Sequence, residues 1–190
     1  ALNFEVTPSF NLNVQVTDNG SGPLSNQAVV TVNLTDVNEP PVINNQTFAI
    51  PEQSANGTLV GNVIATDPDN GQTLSYSIVG GNTSNAFSIN ASTGALIVNN
   101  SVALNFLTNP TFSLMVRVHD NGAGNLNSTA QITVNLTEIN YPPVINNQSF
   151  SVNELSQNGT LVGTVMATDN NPGQTLTYSI ISGNTSSAFS

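Results

Sequence analysis

Asp36-Val37-Asn38-Glu39-Pro40-Pro41 sets two carboxylates, a side-chain amide and two prolines in six consecutive residues, and it recurs as Glu138-Ile139-Asn140-Tyr141-Pro142-Pro143. Proline fixes φ and biases the residue before it toward extended backbone, so no helix runs through either stretch and the strand ending near Thr35 stops there. Each stretch reads as a stiff connector between β-domains that also gathers oxygen ligands.

The two connectors lie 102 residues apart, and the same shift aligns the rest of the chain without an insertion. Ala1-Leu2-Asn3-Phe4 meets Ala103-Leu104-Asn105-Phe106, Val14-Gln15-Val16-Thr17-Asp18-Asn19-Gly20 meets Val116-Arg117-Val118-His119-Asp120-Asn121-Gly122, and Asn56-Gly57-Thr58-Leu59-Val60-Gly61 meets Asn158-Gly159-Thr160-Leu161-Val162-Gly163. A fixed period of this size means tandem domains. The expected division is 1–39 as the end of one repeat, 40–141 as a complete repeat and 142–190 as the start of a third, so the chain reads as a segment of a longer array.

Inside the complete repeat the apolar period is two. Leu59, Gly61, Val63 and Ala65 alternate with Thr58, Val60, Asn62 and Ile64; Leu74, Tyr76 and Ile78 alternate with Ser75 and Ser77. Phe112, Leu114, Val116 and Val118 do the same, as do Ile132, Val134 and Leu136. Turn sequences such as Asn70-Gly71, Gly80-Gly81-Asn82 and Asn121-Gly122 separate these runs. About seven short strands in roughly 100 residues predict an antiparallel β-sandwich.

The 190 residues include no Cys, no Trp, one Arg, one His and eleven acidic side chains, for a net charge of -10. Counterion-release binding to nucleic acid needs Lys and Arg clusters, so nucleic acid is excluded as a partner. Without Cys there is neither a disulfide staple nor a zinc-thiolate site. No apolar run is long enough to cross a bilayer, so membrane insertion by this segment is not expected, and any export signal or anchor is expected outside it.

Every acidic residue falls in a turn, a strand end or a linker, and under the shift 18 pairs with 120, 36 with 138, 52 with 154 and 67 with 169. Carboxylates grouped without cations repel one another, and calcium, which takes six to eight oxygens in flexible geometry, is the matching counter-ion.

Here the residues resemble the cadherin family. Asp36-Val37-Asn38-Glu39-Pro40-Pro41 is similar to its D-x-N-D-N-x-P linker, Asp67-Pro68-Asp69 to its D-x-D, Leu2-Asn3-Phe4-Glu5 to its L-D-x-E, and Pro51-Glu52 to the P-E near the start of a repeat. Val14-Gln15-Val16-Thr17-Asp18 matches the V-x-V-x-D before the last strand. The resemblance implies all-β, tandem Greek-key antiparallel β-sandwiches of cadherin type whose junctions bind Ca2+. Carried over, the first junction takes Glu5, Asp36, Asn38, Glu39, Asp67, Asp69 and Asp120; the second takes Glu52, Glu138, Asn140 and Asp169. Asn3 and Pro40 depart from the family pattern at the first junction, and Leu107, Tyr141 and Asn171 depart from it at the second, so the second is expected to bind calcium more weakly.

Other readings of the same residues are blander. Asp18-Asn19-Gly20 and Asp67-Pro68-Asp69-Asn70-Gly71 are also ordinary turn sequences. His119 beside Asp120 has no partnered nucleophile, and Thr17 occupies its place in the first repeat, so an enzyme is not expected. Twelve N-x-S/T sequons, at Asn19, Asn33, Asn45, Asn56, Asn82, Asn90, Asn99, Asn127, Asn135, Asn147, Asn158 and Asn184, offer glycan acceptors in an exported chain. The functional expectation is a calcium-rigidified extracellular stalk, adhesin or filament segment at the cell surface. Its partners are other repeats of the same chain, like chains in homophilic or filament contacts, or a cell-surface ligand. The runner-up is an accessory repeat of a large secreted enzyme or carbohydrate-binding protein. The Lys-free, Cys-free composition looks microbial rather than animal.

Overall fold

A computed structural model describes residues 2–190; Ala1, which opens the repeat alignment and the 1–39 segment, lies outside the described residues. The chain divides into two compact units, Ala1–Glu138 and Ile139–Ser190. The first unit carries β1 (Ser9–Thr17), β2 (Ser25–Asn33), β3 (Val42–Ile43), β4 (Gln46–Pro51), β5 (Leu59–Asn62), β6 (Ala65–Thr66), β7 (Ser75–Gly80), β8 (Phe87–Ile89), β9 (Ala95–Val98), β10 (Thr111–His119) and β11 (Asn127–Thr137). The second carries β12 (Val144–Ile145) and β13 (Ala167–Thr168).

Two sheets of the first unit, ordered β4-β11-β10-β7 and β5-β9-β8, supply the inward-facing residues of its core. The period-two pattern explains it: Phe112, Leu114, Val116 and Val118 of β10 and Ile132, Val134 and Leu136 of β11 are buried, while Ser113, Met115 and Arg117 point to solvent. Phe87 of β8 meets Phe112 edge to face, ring centroids 5.1 Å apart at 89°, which ties one sheet to the other. Burying such side chains contributes about 1.5–3 kcal/mol each. Leu114→Ala, at a fully buried position, falls in the class of core truncations that cost about 2–5 kcal/mol.

The pattern slips once. Leu59, expected to face inward with Gly61 and Val63, is exposed, and Val60 packs against the core instead. The β5–β9 register shifts between Leu59 and Gly61, and a bulge there moves the preceding residues to the other face. Gly61 is glycine because Phe48 of β4 lies where its Cβ would sit, 2.4 Å from a ring carbon. One pairing is parallel, β4 beside β11 from Gln46↔Ile132 to Pro51↔Thr137, and it places Glu52 at the end of the strand.

The repeat is visible in the register. In β1–β2 Phe10 pairs with Val32 and Leu12 with Val30; in β10–β11 Phe112 pairs with Val134 and Leu114 with Ile132, each 102 residues on. In the second unit Val144 pairs with Thr168 as Val42 pairs with Thr66. Gln148 clamps both main-chain groups of Met166 as Gln46 clamps Ile64. Asn184 brackets Phe189 as Asn82 brackets Phe87, so the amide nitrogens of those two sequons are already donating. No helix among the described residues is long and apolar enough to cross a membrane.

Candidate metal centre

Four loops of the first unit converge at the connector. Glu5 lies in the turn before β1, Asp36 to Glu39 follow β2, Asp67 and Asp69 follow β6, and Asp120 follows β10. Pro41, which ends the connector, is buried, so the stretch is anchored at one end. One carboxylate oxygen from each of Glu5, Asp36, Glu39 and Asp69 lies within 4.8 Å of the others. The only Arg and His of the chain, Arg117 and His119, are both on β10.

Hydrogen bonds set the cluster's shape. The Glu39 N–H donates to Asp69 Oδ2 at 2.9 Å, fastening the connector to the β6 loop, and the Asp69 N–H donates to Asp67 Oδ1 at 2.9 Å. What remains is unpaired: Glu39 Oε2, Asp67 Oδ2 and Asp69 Oδ1 are buried with no hydrogen-bond partner. A buried carboxylate oxygen without a donor is costly unless a cation occupies the space before it. Burial, reinforced by the charges of Glu5, Asp69 and Asp36, pushes the Glu39 carboxyl above the usual carboxylate range. Burial also raises Asp67, with the charges of Asp69 and Asp120 adding to it and the Asp69 N–H opposing it. All these donor atoms are hard oxygens, the set that suits calcium rather than a thiophilic metal.

The other expected ligands hold the cluster from outside. Asp120 is almost fully buried; its Oδ1 accepts the N–H groups of Gly122 and Leu126 at 3.0 Å each, closing the β10–β11 turn, and its Oδ2 accepts Asn38 Nδ2 at 3.2 Å. Asn38 also donates to the Ala123 carbonyl and accepts from Gln72 Nε2, so both ends of its amide are engaged. Two positioning residues escaped the sequence reading. Gln72 holds Asn38 in place, and Gly122 leaves the room for it: a Cβ there would sit 1.8 Å from Asn38 Oδ1. The signal was present, since Gln72 and Gly122 both have identical counterparts under the shift, Gln174 and Gly20.

The residues assigned to the second junction are divided between the two units. In the first unit Glu52 is buried and its Oε2 accepts the Phe106 N–H at 3.0 Å, while Glu138 is exposed. In the second, Asn140 accepts from Gln174, and Asp169 Oδ1 accepts the Asn171 N–H at 2.7 Å. Asn171 is the buried residue there: its Oδ1 accepts the Tyr141 N–H and its Nδ2 donates to the Ile139 carbonyl.

Comparison with known proteins gives a consistent answer. A cadherin-domain profile matches residues 46–137. Protocadherin Fat 4 of mouse is 35% identical over 204 aligned residues, taking in 99% of this chain and 4% of that protein. The mouse cadherin EGF LAG seven-pass G-type receptor 2 is 34% identical over 183, covering 91% of this chain and 6% of the receptor. The chain thus spans a small part of the length of these relatives. Among solved structures, extracellular cadherin domains 3-6 of protocadherin gamma B2 superpose with a TM-score of 0.72 at 25% identity, over 88% of this chain and 45% of that one. Mouse cadherin-23 EC22-24 does so at 0.60 and 29%, over 88% and 56%.

Proposed function

This chain is a cadherin-like repeat protein whose residues 46–137 form a cadherin domain, and on that premise we propose that the connector 36–41 is a calcium-dependent lock between repeats of an extracellular adhesion protein. The supporting observation is the set of four oxygens, one each from Glu5, Asp36, Glu39 and Asp69, within 4.8 Å of one another, two of their residues also carrying buried oxygens without donors. Bound calcium supplies the positive charge that these side chains lack.

The chain's own groups do the rest. Glu5, Asp36 and Glu39 come from the segment ahead of β3, and Asp67 and Asp69 from the loop after β6, so drawing them onto one centre ties the connector to the complete repeat. Asp120, through Asn38, holds the connector in register with the β10–β11 turn. The 40–141 repeat, with partial repeats before and after it, belongs to the same proposal, as does a weaker lock at Glu52, Glu138, Asn140 and Asp169. The role is adhesive or structural rather than catalytic, at the cell surface. It works through other repeats of the chain and through like chains or a surface ligand, as a stalk or filament segment.

Because a cation that binds only the ordered junction stabilises it by mass action, calcium at about a hundredfold excess over its dissociation constant adds about 2.7 kcal/mol. Thermal melting and small-angle scattering of the chain, in calcium and in chelator, test this. A higher melting temperature and a straighter particle in calcium, both lost in Asp36→Ala, support the lock. Identical curves in calcium and chelator leave the carboxylates as turn residues.

A further inference from the structure

Five Asn-Gly dipeptides occur in the chain, at Asn19, Asn56, Asn70, Asn121 and Asn158. Asn-Gly is the dipeptide at which the following main-chain nitrogen reaches the side-chain amide with least steric hindrance, since glycine has no Cβ and wide backbone freedom. Whether it reacts depends on local hydrogen bonding, and here the five differ. The Gly20 N–H donates to Asp18 Oδ1 at 3.0 Å and the Gly122 N–H to Asp120 Oδ1 at 3.0 Å. Losing a proton while facing a carboxylate is unfavourable, so both nitrogens are poor nucleophiles. Asn121 is held a second time, its Oδ1 accepting the Thr73 N–H. The Gly57 N–H donates to the Val98 carbonyl at 2.7 Å, and Asn56 Oδ1 accepts the Ser101 N–H.

Asn70-Gly71 has none of these restraints. Both residues are exposed, and among the described residues neither the Asn70 side chain nor the Gly71 N–H takes part in a hydrogen bond. Its position is also special. Asn70 shares a surface cavity with Phe4, Glu5, Pro8, Asp36 and Pro68, and so lines the same wall as two carboxylates of the cluster. In the main chain it stands between Asp69, which accepts the Glu39 N–H, and the Gly71-Gln72 pair whose glutamine holds Asn38.

We propose that Asn70-Gly71 is a site of spontaneous deamidation that alters the acidic junction as the protein ages. The Gly71 nitrogen attacks Asn70 Cγ; a C–N bond forms, the side-chain nitrogen departs as ammonia with the proton lost from the Gly71 amide, and a succinimide closes. Water then opens the ring. Attack at Cγ returns an ordinary main chain with aspartate at 70, whereas attack at the main-chain carbonyl gives isoaspartate, which carries one extra methylene through the backbone. No electrons are exchanged. Either product adds a carboxylate to the wall formed by Glu5 and Asp36, and the isoaspartate also lengthens the link between Asp69 and Gln72. Asn158-Gly159, in the second unit, is exposed and equally unrestrained, and it provides an internal reference that is not part of the cluster.

The test is incubation of the intact chain at mildly alkaline pH, in calcium and in chelator, followed by peptide mapping of the amide-to-acid mass change and enzymatic methyl labelling of isoaspartate. In chelator, Asn70 and Asn158 are expected to convert at least about tenfold faster than Asn19, Asn56 and Asn121, whose amides must first open locally. Conversion at Asn70 no faster than at Asn121 or Asn56 overturns the proposal, as does an unchanged Asn70. The calcium arm rests on the proposed lock: slower conversion at Asn70 but not at Asn158 shows the ion ordering this loop. Equal rates at Asn70 with and without calcium, still ahead of Asn121, uphold the deamidation site and count against the lock. Asn70→Gln, which retains an amide but reacts through a larger ring, should abolish the labelled peptide without changing the melting temperature.

Discussion

At the first connector Asp69 presents one oxygen to the Glu39 N–H and leaves the other buried without a donor; at the second, Asn171 occupies the same place and leaves nothing unpaired. Its Oδ1 repeats the Asp69 bond, to Tyr141, and its Nδ2 takes the Ile139 carbonyl. The partner residue changes in parallel, a carboxylate at Glu39 becoming a phenol at Tyr141. The Asn171 amide therefore makes two hydrogen bonds at the place where, in the first connector, Asp69 keeps one buried oxygen without a donor. Two sites built on one backbone pattern differ in whether their polar atoms are satisfied from within.

The sharpest way to break this contrast is Asp69→Asn, which imports the second connector's chemistry into the first. The amide fits, as Asn171 shows, so folding is retained while the calcium-dependent part of stability, about 2.7 kcal/mol at hundredfold excess, is largely lost; melting in calcium against chelator reads it. Gly122→Ala attacks the support instead. With its Cβ against the Asn38 amide, it is expected to cost about 1–3 kcal/mol in urea unfolding, and Gly124→Ala, which meets only a side-chain methyl of Leu126 at 3.7 Å but has a positive φ, should cost about 1–2 kcal/mol through backbone strain alone.

The reverse exchange, Asn171→Asp, removes the bond to Ile139 and creates an unpaired oxygen. It should lower stability in chelator by about 1 kcal/mol and give a larger calcium response than the parent site. The smallest effect is that of pH. Glu39 and Asp67 bind protons more tightly folded than unfolded, so between their unfolded and folded values the folded state holds more protons and stability falls as pH rises. In chelator the melting temperature should therefore decline as pH increases through the window above the ordinary carboxylate range. In calcium the decline should flatten, because the ion favours the charged forms.

Much of this was legible beforehand. The β10 and β11 alternation and the 102-residue period follow from residues read along the chain, and the grouping of Glu5, Asp36, Glu39 and Asp69 is what the resemblance to the cadherin family implies. The division of labour inside the acidic set was not. Asp120 and Asn38, which the resemblance assigns as ligands, also bond each other and Leu126, Gly122, Ala123 and Gln72, so they hold the connector to the β10–β11 turn as well. The bulge that turns Leu59 outward was equally hidden, because one extra residue in a strand leaves no mark on its composition.

By itself, then, the order of residues determined the period, the strand faces and the places where negative charge gathers, because those depend on spacing along a backbone of known pitch. Only the tertiary structure decided which carboxylate oxygens lack a donor, that β4 runs parallel to β11, and which Asn-Gly amides stand unprotected. Those depend on groups brought together from as far apart in sequence as Asn38 and Asp120, and a local pattern holds no record of them.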